Sequence, residues 1–261
     1  MLRTEHLSLS YGDKPAVDNV SLAIPEGGIT CLLGPNGSGK STLLKSFAGL
    51  LPPRSGQVFL DNRPVADWNR RQLALRLAML PQKPIVPEGI KVRDLIALGR
   101  FPHRKWWQRN LTADDSAIGE AMAMTGVLDL EERPVQSLSG GQQQRAWIAM
   151  ALAQETDILL LDEPTTFLDW GYQLEVMELL SKLNREHGLT VVMSLHDLNQ
   201  AAQFADRIIV LADGQLKTTG APKEVITEPL INQVFRVNTK VTLGPSGRPF
   251  CSGFSEAAQP G

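Results

Sequence analysis

The stretch Gly34-Pro35-Asn36-Gly37-Ser38-Gly39-Lys40-Ser41 constrains this chain more than any other, because it fits the pattern Gly, four residues, Gly-Lys-Ser/Thr. Glycines at 34, 37 and 39 let the backbone curl until successive N–H groups converge on one point, an arrangement that holds anions. The flanks agree. Ile29 to Leu33 is a short apolar run that reads as a strand, and Leu43, Leu44, Phe47 and Leu50 recur at helical spacing. Strand, glycine loop and helix therefore follow in the order a phosphate cradle requires, with the positive end of the helix dipole at the anion. Lys40 is placed to reach β- and γ-phosphates, and Ser41 to hold Mg²⁺. Bound ATP with Mg²⁺ is the expectation.

Composition narrows the setting. With 261 residues the chain can form one large domain or two small ones, and 43% hydrophobic content suffices for a real core. A net charge of −2 leaves no electrostatic footprint for nucleic acid, so no nucleic-acid partner is expected. Cys31 and Cys251 make no metal or disulfide pattern, which suits a reducing compartment. No basic segment followed by an apolar run opens the chain, and no apolar stretch approaches the length of a membrane span.

Taken in order, residues 3 to 10 and 17 to 24 alternate apolar and polar around Tyr11-Gly12-Asp13 and read as antiparallel strands. Tyr11 is either a ring that stacks on a purine or one packed at a strand end. A strand over Gln57 to Leu60, a helix over Arg70 to Leu75 and a strand over Leu77 to Leu80 follow, and the last delivers Gln82 to a Pro- and Gly-punctuated segment that can hinge. Gln82 there is a candidate ligand for Mg²⁺ or the attacking water, or an ordinary solvated Gln. From Val92 to Thr125 the pattern is helical, interrupted by the aromatic-basic run Phe101 to Arg109, which reads better as a protein-contact loop or packed corner than as an RNA surface. We expect an inserted helical subdomain over about 88–155.

A second anion site appears at Leu138-Ser139-Gly140-Gly141-Gln142, where Ser139 is a natural N-cap for the helix that follows and the glycines leave the first N–H groups unobstructed. One ATP already has its phosphates cradled by residues 34 to 41, so a second cradle asks for a second nucleotide or a second chain. Ile158 to Leu161 is an apolar strand ending in Asp162-Glu163, the pattern of a buried parallel strand that delivers acids to its carboxyl end. In company with a phosphate loop, Asp162 is the candidate Mg²⁺ ligand and Glu163 the candidate to orient or deprotonate water. His196 ends the strand Leu189 to Ser194 and either hydrogen-bonds a γ-phosphate or caps the next helix. A hairpin around Asp213-Gly214, a short helix over Glu228 to Phe235 and a Gly/Pro-rich tail complete the chain.

The order phosphate loop, Gln, Leu-Ser-Gly-Gly-Gln, apolar strand with Asp-Glu, Leu-Asp and His resembles the ATP-binding cassette (ABC) ATPases over roughly residues 1–237, leaving 238–261 as a C-terminal tail. The fold so implied is α/β, a P-loop NTPase core with an N-terminal antiparallel β portion and the inserted helices. Residue by residue, the resemblance implies that Tyr11 stacks on adenine, that Gly34, Pro35, Asn36, Gly37, Ser38, Gly39, Lys40, Ser41 and Thr42 bind phosphates and Mg²⁺, and that Gln82 links nucleotide state to a partner. It further implies that Asp162 binds Mg²⁺ through water, that Glu163 is the catalytic base and that His196 contacts the γ-phosphate. Asp169 is expected at a dimer interface, and Ser139, Gly140, Gly141 and Gln142 are expected to close over the nucleotide of a second copy of the chain.

Finer resemblance lies in Pro164-Thr165-Thr166-Phe167-Leu168-Asp169, in Ser194 to Ala202 and in Gly99-Arg100-Phe101-Pro102-His103, which look like the ATPase subunits of ferric-siderophore importers, relatives of the haem and cobalamin importers. Phe167 departs from the small Ala common at that place in the wider family and is similar to the siderophore group. The implied partners are transmembrane permease subunits and, indirectly, a substrate-binding protein, at the cytoplasmic face of the cell membrane. A haem or cobalamin importer is the alternative. A soluble cassette scaffold for iron–sulfur assembly is the rival from another class.

Overall fold

Two-residue alternation does what it predicts at the start of the chain: Leu7, Leu9, Val17, Val20 and Ile24 are all buried while their neighbours face solvent. The computed structural model describes residues 1–85, 88–104 and 111–256, which divide into two compact units, Met1–Asp67 with Val192–Gly261, and Trp68–Val191. In chain order the first unit opens with β1 (Leu2–Tyr11), β2 (Lys14–Ile24), β3 (Ile29–Leu33), α1 (Lys40–Phe47), β4 (Ser55–Leu60) and β5 (Arg63–Pro64). The second holds α2 (Arg70–Ala74), β6 (Leu77–Leu80), α3 (Val92–Ala97), α4 (Leu111–Thr125), α5 (Gly140–Leu152), β7 (Ile158–Asp162) and α6 (Trp170–His187). The chain crosses the boundary within β8 (Thr190–Ser194) and completes the first unit with α7 (Leu198–Phe204), β9 (Arg207–Ala212), β10 (Gln215–Gly220), α8 (Pro222–Val225), α9 (Glu228–Phe235), β11 (Val237–Leu243) and β12 (Pro249–Glu256).

In the first unit one antiparallel sheet has the order β2-β1-β4-β5, with Leu2 opposite both Ile24 and Leu60. This is the expected N-terminal β portion. β3 pairs in parallel with β9, Thr30 to Leu33 against Arg207 to Val210, and all five of its residues are buried, which is why it reads as an unbroken apolar run. β9 returns as β10 through Asp213 and Gly214, both at positive φ (54° and 74°), the two-residue hairpin that the Asp-Gly pair demands.

The stretch expected as a tail folds instead. Residues 237–256 contain the β11–β12 hairpin, with Val241 opposite Cys251 and Leu243 opposite Pro249. It is pinned to α7 by the Asn199 amide, which donates to the Cys251 carbonyl (3.0 Å) and accepts from its N–H (2.7 Å), and by Arg248, which donates to the carbonyls of Ala202 and Ala205. Gly244, Pro245 and Gly247 occupy the hairpin turn. Cys31 and Cys251 are both free and buried; burial, with Asp197 nearby, pushes the Cys251 thiol up to about 11.

In the second unit β6 and β7 run parallel, Leu77 to Leu80 against Ile158 to Leu161, so both strands end at the same edge. The helical stretch between them is α3, α4 and α5, tied at one corner by Arg100. That guanidinium is buried and donates to Asp114 (3.0 Å), to the carbonyl of Ala153 (2.7 Å) and to Glu155 (2.6 Å), while Arg104 reaches the other oxygen of Asp114 (3.0 Å). Of the aromatic-basic run, Phe101 to Arg104 belong to this corner, with Phe101 exposed; residues 105–109 lie outside the described residues. Among the described residues no helix is long and apolar enough to cross a membrane.

Candidate functional site

The phosphate loop is built from close approaches. Gly34 has φ 149°, and a Cβ there would lie 2.0 Å from the Leu211 carbonyl and 2.7 Å from Ser38 Oγ, so only glycine fits. α1 begins at Lys40, one residue after Gly39 at φ 103°. Lys40 is buried, with its ammonium donating to the carbonyls of Gly34 (2.8 Å) and Pro35 (3.1 Å), which aims the charge into the loop instead of solvent. Ser38 Oγ is buried and has no hydrogen-bond partner among the described residues. An orphaned hydroxyl and a buried ammonium inside a glycine cradle fit a polyphosphate, which offers both an acceptor. Thr42 is buried, Ser41 half-buried, and Asn36 and Gly37 are exposed at the loop tip.

Two further candidates sit in the same unit. Tyr11 ends β1 with its ring half-exposed, and the Lys45 ammonium stands 5.9 Å from the ring centroid. His196 is exposed one residue beyond Leu195, whose N–H donates to the Leu32 carbonyl (3.1 Å) on the strand that feeds the loop. The cap of α7 is Asp197, which accepts from Asn199 and Gln200, so His196 is not the cap.

The second unit gathers the acids. Because β6 and β7 are parallel neighbours, Gln82 and Glu163 emerge side by side, and the Gln82 amide donates to Glu163 Oε2. The Thr166 hydroxyl donates to the same oxygen (3.0 Å). Asp162 is buried at the strand end. Gln82 and Asp162 offer oxygen in this unit, as Ser41 does in the other, and oxygen is the hard donor that Mg²⁺ takes. Glu163 and Phe167 both hold left-handed backbone, φ 53° and 67°, which is costly for non-glycine residues.

The Leu-Ser-Gly-Gly-Gln segment lies in the same unit. Ser139 caps α5 by accepting from Gln142 N–H (3.3 Å), and Gln142 Oε1 accepts from Ser139 N–H (3.0 Å), a complete capping box. Ser139 and Gly140 are exposed, Gly141 buried. Asp169 is exposed at the N-cap of α6 without a side-chain cap bond. A Cβ on Gly141 would stand 2.4 Å from Tyr172 Cδ1, and one on Gly140 would stand 3.2 Å from Leu168. The helix start is thus keyed onto the turn that follows Glu163. Gly141→Ala should destabilise the protein by about 1–3 kcal/mol through overpacking, and Tyr172→Ala should restore most of it in the double variant; chemical denaturation of the three proteins checks this.

Sequence reasoning missed Thr166 and Tyr172. Thr166 carries the only legible signal, a hydroxyl at the i+3 position of a turn starting at an acid. The packing of Tyr172 on Gly141 depends on tertiary contact and has none.

Comparison with known proteins identifies the family. Residues 17–166 match the ABC transporter family. The petrobactin import ATP-binding protein FpuD of Bacillus anthracis is 47% identical over 96% of this chain and 92% of its own length. The ferric enterobactin transport ATP-binding protein FepC of Escherichia coli is 44% identical over 95% and 92%. Among solved structures, the dimeric MJ0796, a bacterial ABC transporter cassette, superposes with a TM-score of 0.74 at 32% identity, over 85% of this chain and 98% of that one.

Proposed function

The chain belongs to the ABC transporter family, as an ATP-hydrolysing cassette, and we propose that it powers import of an iron(III)-siderophore through a membrane permease. The observation that carries the chemistry is the Glu163 carboxylate, held by Gln82 and Thr166 at the carboxyl end of β7. In this reading Glu163 takes the proton of the attacking water, and Lys40, Ser38 and the loop N–H groups hold the phosphates. Mg²⁺, when bound, neutralises charge on the β- and γ-phosphate oxygens; Ser41, Gln82 and Asp162 would hold it. Tyr11 stacks on the adenine and His196 contacts the γ-phosphate.

A second copy of the chain supplies Ser139 to Gln142, since each chain's own phosphate loop already cradles one ATP and the capped start of α5 is then left for the nucleotide held by the other copy, and Asp169 lies at that interface. Support for a dimer comes from the dimeric form of MJ0796. Residues 1–237 form the catalytic body and about 88–155 the inserted helices, which with the segment after Gln82 dock the permease at the cytoplasmic face of the membrane. Cargo is assigned from relatives that bear the names of siderophore systems, together with Phe167; an iron–sulfur assembly scaffold finds no support among them.

The test is genetic. Deleting the chain's locus should abolish growth under iron limitation on one member of a panel of single siderophores and leave growth on free iron salts intact. Unchanged growth on every siderophore, with loss on haem or cobalamin, would transfer the assignment to that cargo.

A further inference from the structure

The β11–β12 hairpin holds α7 at both ends, and α7 starts just past His196 with Asp197 between them as its cap. At the first turn the Asn199 amide donates to the Cys251 carbonyl (3.0 Å) and accepts from the Cys251 N–H (2.7 Å), so the side chain pairs with β12 as a neighbouring strand would. At the far end Arg248 Nη1 donates to the carbonyls of Ala202 (3.1 Å) and Ala205 (2.6 Å), where a helix end needs outside donors. The helix itself has seven residues, too few to be stable alone, and its buried side chains are Leu198, Ala201 and Ala202, two of them small. On the other side of His196 lies Leu195, whose N–H donates to the Leu32 carbonyl (3.1 Å) on β3, the strand that runs into the phosphate loop.

We infer that Asn199 and Arg248 are positioning residues for His196, and that through them the hairpin 237–256 serves the ATP site without touching nucleotide. This rests on the reading that His196 contacts the γ-phosphate. His196 sits on a link fixed at one end to β3 through Leu195 and at the other to α7 through the Asp197 cap. β3 continues into the phosphate loop, so the first anchor moves with the phosphates. The second moves with α7, and a shift of that helix changes the aim of the ring at an oxygen, where a hydrogen bond tolerates only a narrow range of distance and angle. A bond lost between hairpin and helix therefore reaches the γ-phosphate through the orientation of His196. The contacts that the loop makes to the other phosphates stay as they are.

The experiment separates the inference from the reading beneath it. Binding of ADP and of the β,γ-imido analogue of ATP, together with ATP turnover, is measured on the full chain and on Asn199→Ala, Arg248→Met, Arg248→Lys, His196→Ala, and His196→Ala with Arg248→Met. Asn199→Ala and Arg248→Met should each lower turnover and analogue affinity about three- to tenfold, the change that one or two hydrogen bonds support. Affinity for ADP should hold at the wild-type value, since ADP has no γ-phosphate; a merely loosened fold would lose both ligands alike. Arg248→Lys should recover most of the loss, because a single nitrogen makes both bonds and an ammonium carries several donors. With His196 already replaced by Ala, Arg248→Met should change nothing further, since its effect passes through the ring that is gone. Arg248 is half-buried, and its variants carry the test if Asn199→Ala does not fold. Wild-type turnover and analogue affinity in Asn199→Ala and Arg248→Met, equal losses of ADP and analogue, or the same loss from Arg248→Met with and without His196 would each overturn the positioning role, while a loss in His196→Ala keeps the γ-phosphate reading. Wild-type behaviour of His196→Ala would overturn that reading and the positioning role with it.

Discussion

Glu163→Gln is expected to bind ATP with near-wild-type affinity and to lose turnover by a factor on the order of a hundred or more. The substitution keeps the shape of the side chain, and its carbonyl oxygen still accepts from Gln82 and Thr166, so the turn at the end of β7 has no reason to move. The phosphate contacts lie on the loop and on Lys40, which the change does not alter. What disappears is the ability to take a proton from water. That loss falls on the chemical step alone, which predicts a lower kcat with little change in nucleotide affinity. Equilibrium binding of a fluorescent ATP analogue, set beside steady-state phosphate release, checks both halves. A variant that hydrolyses at a near-normal rate would remove Glu163 from the role of base; a variant that loses binding would mean that the carboxylate also supports the site's architecture.

Much of this site was legible because its chemistry is done by the backbone. A cradle of N–H groups requires glycines where side chains would collide, and Gly34, with the Leu211 carbonyl 2.0 Å from where a Cβ would stand, leaves that requirement in the sequence. A buried parallel strand requires an unbroken apolar run, so Ile158 to Leu161 declared itself and put Asp162-Glu163 at its end. Ser139 was readable as a cap for the same reason, since the helix start needs an acceptor at that spacing. The rest depends on neighbours distant in sequence. No local pattern says that Thr166 turns its hydroxyl back onto Glu163, that Phe167 adopts left-handed backbone, or that Tyr172 packs on Gly141. The hairpin of β11 and β12 was missed for a related reason: its strands are mixed in polarity and mostly exposed, and what pins it to α7 is the pairing of Asn199 with the backbone of Cys251, 52 residues away.

The largest stability effect is expected at Arg100. Its guanidinium donates at once to Asp114, to the Ala153 carbonyl and to Glu155, and so ties the turn after α3 to the first turn of α4 and the end of α5. Arg100→Ala removes one partner of a buried ion pair and leaves Asp114 and the Ala153 carbonyl without it. Breaking such a pair from one side costs about 3 kcal/mol, which lowers the melting temperature on the order of 10 °C for a chain of this size. Arg100→Lys should recover only part of that, because an ammonium is a single point and cannot bridge three acceptors as the planar fork does. Acid adds a second reading. Burial pushes the Asp114 carboxyl up, but hydrogen bonds and charge from Arg100 and Arg104 outweigh it and hold the group below the ordinary aspartate value. A carboxylate lowered in the folded state contributes its stability in full above the unfolded value and loses it as the pH falls through the folded one. The gap between wild type and Asp114→Asn should therefore be complete at neutral pH, hold until the pH drops below the ordinary aspartate range, and close only beneath it. Thermal unfolding of the two proteins across that range measures it, and a gap that stays constant into strong acid would show that the charge on Asp114 does not hold the corner together.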